Sequence, residues 1–316
     1  MPRVSRRVLS CDPPRIILVM KQPVQNNRSH NHETAAIQRG WVNHILMQSF
    51  VDGPGNRAVV FLQGCNLHCL YCHNPYTINL CDHCGLCVDT CPSGALTKAG
   101  DMVAWDPQLC TECDTCIQTC PNNSSPRARS MSPQEVWQEL MPSSRFVSGM
   151  TISGGEPVLQ ADFIADLFAI IKRSSSLTTL IETNGYGGPQ AYLSLMNDLD
   201  MAIVDLKAFD PQRHRDLTGR DLDPVLETIR FLYDRKKLYA IQQVVVPGYT
   251  DSEASASATA HWLAGLDPHI RMKFLRFRPH GTSGSAQKWG SPSDEVMDHL
   301  VHTALQAGLI HVERSQ

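Results

Sequence analysis

The chain has 316 residues, of which 42% are hydrophobic and 19% charged, with a formal net charge of −3. That length holds one large domain or two modest ones around a real core. The near-neutral balance, without clustered Lys or Arg, excludes a field suited to nucleic acid or an acidic membrane surface. The longest aliphatic run, Ile16-Ile17-Leu18-Val19-Met20, is too short to span a bilayer or form a signal-peptide core. A cytoplasmic monomer is the expectation.

In chain order, residues 1–40 are rich in Arg, Asn, His and Gln without periodicity and read as a poorly ordered extension. Cys11 lies there as a lone free thiol. A mixed apolar segment at 42–51 leads to the turn Asp52-Gly53-Pro54-Gly55, and 57–62 is predicted to be a buried strand ending in Gln63-Gly64. Residues 81–121 have few hydrophobics and many Cys, Asp and Thr, a composition that cannot build an apolar core and requires bound metal to hold it. Ser132-Pro133-Gln134-Glu135 then opens a helix, with Ser as cap, Pro at the first position and Glu closing a capping box. Strands are predicted at 146–153, 177–183, 201–206, 240–246 and 272–277, with helices at 160–173, 190–198, 222–237 and 252–265 and a last short strand at 308–313. With 57–62 this gives six βα units, which predict an α/β fold around a parallel sheet. Six units would leave a barrel of the (β/α) type incomplete, with an open side suited to a bulky substrate.

Eleven of the 12 cysteines fall between Cys65 and Cys120, in three groups. The first is a triplet, Cys65-x3-Cys69-x2-Cys72. The second, Cys81-x2-Cys84-x2-Cys87-x3-Cys91-Pro92, is repeated twenty-nine residues later as Cys110-x2-Cys113-x2-Cys116-x3-Cys120-Pro121. These two runs have the spacing of bacterial ferredoxins, so the segment 81–121 is expected to be an inserted ferredoxin-like module with two [4Fe–4S] clusters. In such modules the fourth Cys of each run serves the other cluster, which assigns Cys81, Cys84, Cys87 and Cys120 to one and Cys110, Cys113, Cys116 and Cys91 to the other. Disulfides suit these closely spaced thiols poorly. Structural zinc, usually held by two separated pairs, is the competing reading. Three thiolates can hold three corners of a further cubane and leave one iron open, so Cys65, Cys69 and Cys72 are the candidate reactive centre. His68, His73 and His83, interleaved with the cysteines, are read as supporting groups rather than ligands.

The polar motifs fall at strand ends, which form one mouth in a barrel of parallel strands. Ser153-Gly154-Gly155-Glu156 offers backbone that a ligand can approach closely and a carboxylate for an ammonium group, or else an ordinary strand-to-helix turn. Asp205 and Lys207 share one side of their strand end, either as a salt bridge or with the Lys aimed at a ligand carboxylate. Tyr71 could pack on a planar ligand group, and His280 lies in a loop after the strand at 272–277.

Cys65-x3-Cys69-x-Tyr71-Cys72 resembles the signature of the radical S-adenosylmethionine superfamily, and Gly154-Gly155-Glu156 looks like its Gly-Gly-Glu motif. With Asp52-Gly-Pro-Gly-Asn-Arg57, Cys72-His-Asn-Pro75, Thr183-Asn184-Gly185, Asp205-Leu-Lys207, Pro247-Gly248 and Pro279-His280-Gly281, the chain from about residue 45 onward resembles the glycyl-radical-enzyme activating enzymes, and among them the YjjW-type activases. The resemblance implies a partial (β/α)6 barrel over 41–80 and 122–316. It also implies S-adenosylmethionine on the free iron, contacted by Tyr71, His73, Gly154, Gly155, Glu156, Glu182, Asn184, Asp205, Lys207 and His280, and in some members a monovalent cation nearby. The implied reaction is one-electron cleavage of S-adenosylmethionine to a 5′-deoxyadenosyl radical that takes hydrogen from a backbone glycine of a partner glycyl radical enzyme. A flavodoxin or ferredoxin-type protein would be the reductant. Glu182 departs from the family, which commonly has Asp there. The alternatives are a radical S-adenosylmethionine enzyme acting on a small molecule and a non-catalytic ferredoxin-type electron carrier.

Overall fold

A computed structural model describes residues 38–315. The free thiol expected at Cys11 and all but the last three residues of the expected extension lie outside them. Strand β1 (Gly40–Ser49) begins one residue before the predicted boundary and pairs antiparallel with β2 (Arg57–Leu62). The cysteine-rich segment follows. It contains a hairpin of β3 (Leu96–Ala99) and β4 (Met102–Trp105) and the short helix α1 (Thr115–Thr119). The chain returns to the main sheet through β5 (Arg129–Met131), which pairs with β1, and enters α2 (Pro133–Leu140). The capping box predicted there is present: Glu135 N–H donates to Ser132 Oγ at 3.2 Å, and Ser132 N–H donates to Glu135 Oε2 at 2.6 Å.

Alternating elements complete the fold: β6 (Gly149–Gly154), α3 (Ala161–Ser174), β7 (Thr178–Thr183), β8 (Met201–Asp205), α4 (Pro211–Thr218), α5 (Asp223–Asp234), β9 (Leu238–Val245), α6 (Glu253–Leu266), β10 (Arg271–Arg276), α7 (Asp294–Gln306) and β11 (Val312–Arg314). The main sheet runs β11-β10-β9-β8-β7-β6-β2-β1-β5, and every neighbouring pair from β2 to β11 is parallel. Because those strands lie in sequence order, each crossover moves the same way across the sheet. The arrangement is an α/β fold with a large, mostly parallel sheet, consistent with a partial barrel.

Period-two alternation divides the strand residues between two faces. Val60, Ile152, Ile181, Val204, Ile241 and Phe274 point outward into one core with Leu167, Ile229, Leu263 and Leu300 of the helices. Burying each such side chain contributes about 1.5–3 kcal/mol. On the inner face Leu180, Ile203 and Ala240 form a separate apolar cluster. One step nearer the strand ends the inner face turns polar: Asp205, Gln242 and Lys273 align across β8, β9 and β10.

Arg57, predicted only to start a strand, is fully buried at the beginning of β2. It donates to Thr151 Oγ1 at 2.7 Å, Met150 O at 2.7 Å and Thr178 Oγ1 at 2.9 Å, and so ties β2 to β6 and β7. The predicted helix at 190–198 is a 3-10 turn over Pro189–Leu195, and α4 and α7 were not anticipated. Both begin on side-chain caps, Asp210 and Ser293, but α4 is too polar to show periodicity and α7 follows a Gly- and Ser-rich stretch. The expectation that 81–121 lacks apolar packing also needs correction. Cys87, Leu96 and Val103 are buried there, with Val88, Trp105 and Cys116 packed against them.

Candidate active site

A cavity of about 430 Å³ opens at the carboxyl ends of β2 and β6–β10, and all three cysteines of the triplet line it. The triplet loop is tied into the fold by its backbone: Cys65 N–H donates to Ile78 O at 3.0 Å, Leu70 N–H to Leu217 O at 2.9 Å and Cys72 N–H to Cys69 O at 3.1 Å. Burial raises the thiols, Cys65 to about 12 and Cys69 to about 11, with Glu156 adding to the shift at Cys65. Such thiols are ionised by the metal that binds them. Among the described residues, no group of three or more His, Cys, Asp or Glu side chains is placed to hold a single metal ion. A cubane makes a different demand, since each thiolate binds its own iron.

Gly154 and Gly155 are needed for close approach. A Cβ on Gly155 would stand 2.1 Å from Gly64 O, and one on Gly154 2.3 Å from Leu62 N. The contact lets Gly155 N–H donate to Leu62 O at 2.9 Å and Glu156 N–H to Gly64 O at 2.7 Å. The Gly-Gly turn therefore braces the strand end that carries Cys65, while Ser153, Gly154 and Gly155 line the cavity.

Glu156 is placed differently from its expected role. It is fully buried and is not among the cavity-lining residues. Its carboxylate accepts from Thr183 Oγ1 at 2.7 Å, Asn184 N–H at 2.7 Å and Val158 N–H at 3.2 Å. Burial lifts its pKa to about 7 against the pull of those donors. The side chain thus positions Thr183-Asn184-Gly185 rather than facing a ligand in this structure.

Glu182 does line the cavity, accepting from Ser153 Oγ at 2.8 Å, and burial followed by the charges of Asp205 and Asp52 pushes it up to about 8. Asp205 and Lys207 form an ion pair at 3.1 Å inside the cavity. Burial works against the Lys207 charge, but Asp205, Tyr71 and Cys69 outweigh it and hold its pKa well above the ordinary value. Tyr71 is buried beside this pair, with its ring centroid 6.0 Å from Lys207 Nζ and its hydroxyl without a partner among the described residues. Asn184 Nδ2 donates to Asn66 Oδ1 at 2.8 Å and lies 3.8 Å from Cys65 Sγ. His73 lines the cavity, stacks on Phe277 at 5.9 Å and donates from Nε2 to Arg278 O at 2.7 Å. His280, by contrast, is exposed and outside the lining. Its neighbour Gly281 packs on the His73 backbone, where a Cβ would meet His73 O at 2.6 Å.

Sequence reasoning did not single out Gln242, Val244, Lys273 and Leu275, which also line the cavity. They occupy alternate positions on β9 and β10, so strand parity carried the signal. The interior continues toward the strand starts as a second cavity of about 490 Å³, bounded in part by Ile203, Ala240 and Arg271.

The cysteine-rich segment repeats in its backbone as well as its spacing. Left-handed residues recur at the twenty-nine-residue offset: His83 (φ 57°) with Glu112 (φ 54°), Gly85 (φ 84°) with Asp114 (φ 58°), and Gly94 (φ 68°) with Asn123 (φ 46°). Cys91, Cys110, Cys113 and Cys116 line one small cavity together. Cys81 lies within reach of the charges of Cys120 and Cys84, and Cys87 within reach of those of Cys116, Cys81 and Cys120. His83 accepts the Val103 N–H on Nδ1 at 3.1 Å, which fits its reading as a supporting group.

The sequence profile of the radical SAM superfamily matches residues 59–259. The chain belongs to that superfamily. The matched span of this radical SAM protein runs from β2 into α6 and contains the triplet, the Gly-Gly turn and the Asp205–Lys207 pair. Among characterised relatives, the choline trimethylamine-lyase activating enzyme of Oleidesulfovibrio alaskensis is 29% identical over 265 residues, 78% of this chain and 85% of the relative. The isethionate sulfite-lyase activating enzyme of Desulfovibrio desulfuricans is 30% identical over 267 residues, with the same coverage of 78% and 85%. Among solved structures, Streptococcus suis SuiB bound to precursor peptide SuiA matches 82% of this chain and 48% of its own, with a TM-score of 0.54 and 13% identity, a likeness of fold.

Proposed function

We propose that the protein is a glycyl-radical-enzyme activating enzyme. The observation that carries the reading is the gathering of Cys65, Cys69 and Cys72 in one cavity with the Gly-Gly turn, Glu182 and the Asp205–Lys207 pair. Similarity to two activating enzymes along most of their length supports it. When bound, a [4Fe–4S] cluster and S-adenosylmethionine would supply one-electron cleavage to methionine and a 5′-deoxyadenosyl radical, which takes hydrogen from a backbone glycine of the partner enzyme.

The residues fit that pair of groups. Three half-buried thiols on one loop can hold three irons, and the Tyr71 hydroxyl, without a partner among the described residues, and the cavity beside it leave room for a polar ligand. Lys207 offers a fixed positive charge to a carboxylate. Glu182 and Asp205 offer acceptors to an ammonium group or a monovalent cation. Asn184, poised over Cys65 by Glu156, steadies the thiolate nearest the Gly-Gly turn.

The finer reading gives the segment 81–121 two further [4Fe–4S] clusters, held by Cys81, Cys84, Cys87 and Cys120 and by Cys110, Cys113, Cys116 and Cys91. The duplicated left-handed turns and the cavity lined by the second set support it. So does Trp105, which lines that cavity and carries a buried indole N–H without a partner among the described residues. A cytoplasmic monomer reduced by a flavodoxin or ferredoxin-type donor completes the proposal. Among the described residues, no helix is long and apolar enough to cross a membrane.

Two measurements test the reading. Anaerobic reconstitution should yield about twelve irons per chain for three cubanes and about four for the triplet alone. Incubation with a glycine-deuterated glycyl radical enzyme should move deuterium into 5′-deoxyadenosine. Cleavage without that transfer would point to a small-molecule substrate.

A further inference from the structure

The two halves of the cysteine-rich segment match in spacing and backbone but not in charge. Asp114 stands where the first half has Gly85, and both residues are left-handed, at φ 58° and 84°. A non-glycine residue is uncommon in that conformation, although Asp bears it better than most. What Asp114 does there is visible. Its Oδ1 accepts from Arg127 Nη2 at 2.7 Å, and the Arg127 side chain is only 18% exposed. Arg127 and Asp114 both line the cavity formed by Cys91, Cys110, Cys113 and Cys116, but the Asp114 side chain is 53% exposed, so solvent screens its charge more than that of Arg127. The nearest cation in the first half, Lys98, lies over Gly85 but is exposed, where solvent and salt screen it.

Resting on the two-cluster reading of this segment, we infer that Arg127, held by Asp114, makes the clusters unequal by raising the reduction potential of the one bound by Cys91, Cys110, Cys113 and Cys116. A cluster gains one negative charge on reduction, so a fixed cation beside it favours the reduced state. Position gives the inequality a use. Trp105, Asp114 and Arg127 also form one wall of a cavity of about 340 Å³ whose other wall includes Asn74, Tyr76 and Thr77, just after Cys72. An electron from a one-electron protein donor would oxidise that donor, enter through either cluster and come to rest on the one facing the triplet loop. Arg127 is a positioning residue for that electron and touches neither substrate nor reacting atoms.

Potentiometric titration followed by electron paramagnetic resonance tests this. Cys113→Ser and Cys84→Ser mark which signal belongs to which cluster. In Arg127→Gln the signal marked by Cys113→Ser should move to more negative potential while the signal marked by Cys84→Ser stays in place. Arg127→Lys should restore most of the shift, and Lys98→Gln should leave the Cys113-marked signal unmoved. Movement of both signals or of neither would overturn the inference. So would loss of about four irons from Arg127→Gln, which would make the side chain a brace. An iron count of about four in the parent protein would instead remove the two-cluster reading itself.

Discussion

Glu156 is a fully buried carboxyl and Glu182 a half-buried one near the same strand ends, and only Glu182 faces the cavity. Glu156 spends its two oxygens on three donors from Val158, Thr183 and Asn184. Glu156→Gln would set an amide NH₂ against at least one of them and leave it unpaired, at a cost of about 1–3 kcal/mol. That loss should appear in denaturant unfolding of the chain before clusters or S-adenosylmethionine are added. Weakened S-adenosylmethionine binding with unchanged stability would instead make Glu156 a direct ligand. A three-residue motif reveals which side chains come together but not where a carboxylate points, and for that reason the turn of Glu156 away from the cavity was not legible in the sequence. Gln242 and Lys273 were missed for a related reason: choosing the inner parity of β9 and β10 requires the sheet register.

The same two carboxyls predict a pH dependence. Burial raises Glu156 to about 7, and burial with Asp205 and Asp52 raises Glu182 to about 8. The folded chain therefore binds both protons more tightly than the unfolded chain, so stability is greatest near or below the ordinary carboxyl range and falls as pH rises through these values. Urea unfolding of the cluster-free protein between about pH 5 and about pH 9 should show that decline, with Glu182→Gln flattening its upper part. A rise in stability across that window would mean that Glu182 is ionised and paired.

At the scale of elements, the contact between the ends of β2 and β6 holds the triplet loop, which follows one, against the Gly-Gly turn, which follows the other. Gly155→Ala places a methyl 2.1 Å from Gly64 O, and backbone on both sides leaves little room to yield. The substitution should destabilise the fold by about 1–3 kcal/mol and displace the Cys65 loop. Thermal unfolding measures the first effect, and iron retained by the triplet measures the second. An unchanged iron content would show that the loop holds its shape without this contact. Elements with a capping signal or a clear hydrophobic period were legible in the chain, as α2 with its capping box and α3 with its apolar face illustrate. Those governed by pairing were not. β1 carries alternation broken by register shifts against β2, and β3 and β4 are too short to announce themselves amid cysteines.

For the whole molecule, the cysteine-rich segment lies between β2 and β5 and neighbours the triplet loop. It packs on the barrel through Asn79, whose Nδ2 donates to Asn122 O at 2.8 Å and whose carbonyl accepts from Gln63 Nε2 at 2.6 Å. Gln63 immediately precedes the Gly64-Cys65 strand end, so the segment and the reactive loop share one scaffold. A relay and a passive brace make different predictions on that scaffold. If the segment carries electrons, Cys113→Ala breaks the path from a protein donor and leaves the triplet intact. S-adenosylmethionine cleavage driven by a strong small-molecule reductant should then persist near the parent rate, while cleavage driven by a flavodoxin or ferredoxin-type donor falls by about tenfold or more, a barrier increase of about 1.4 kcal/mol. If the segment only braces the barrel, the two reductants lose rate together, because the damage then reaches the triplet through Gln63 and Cys65 whichever way the electron arrives.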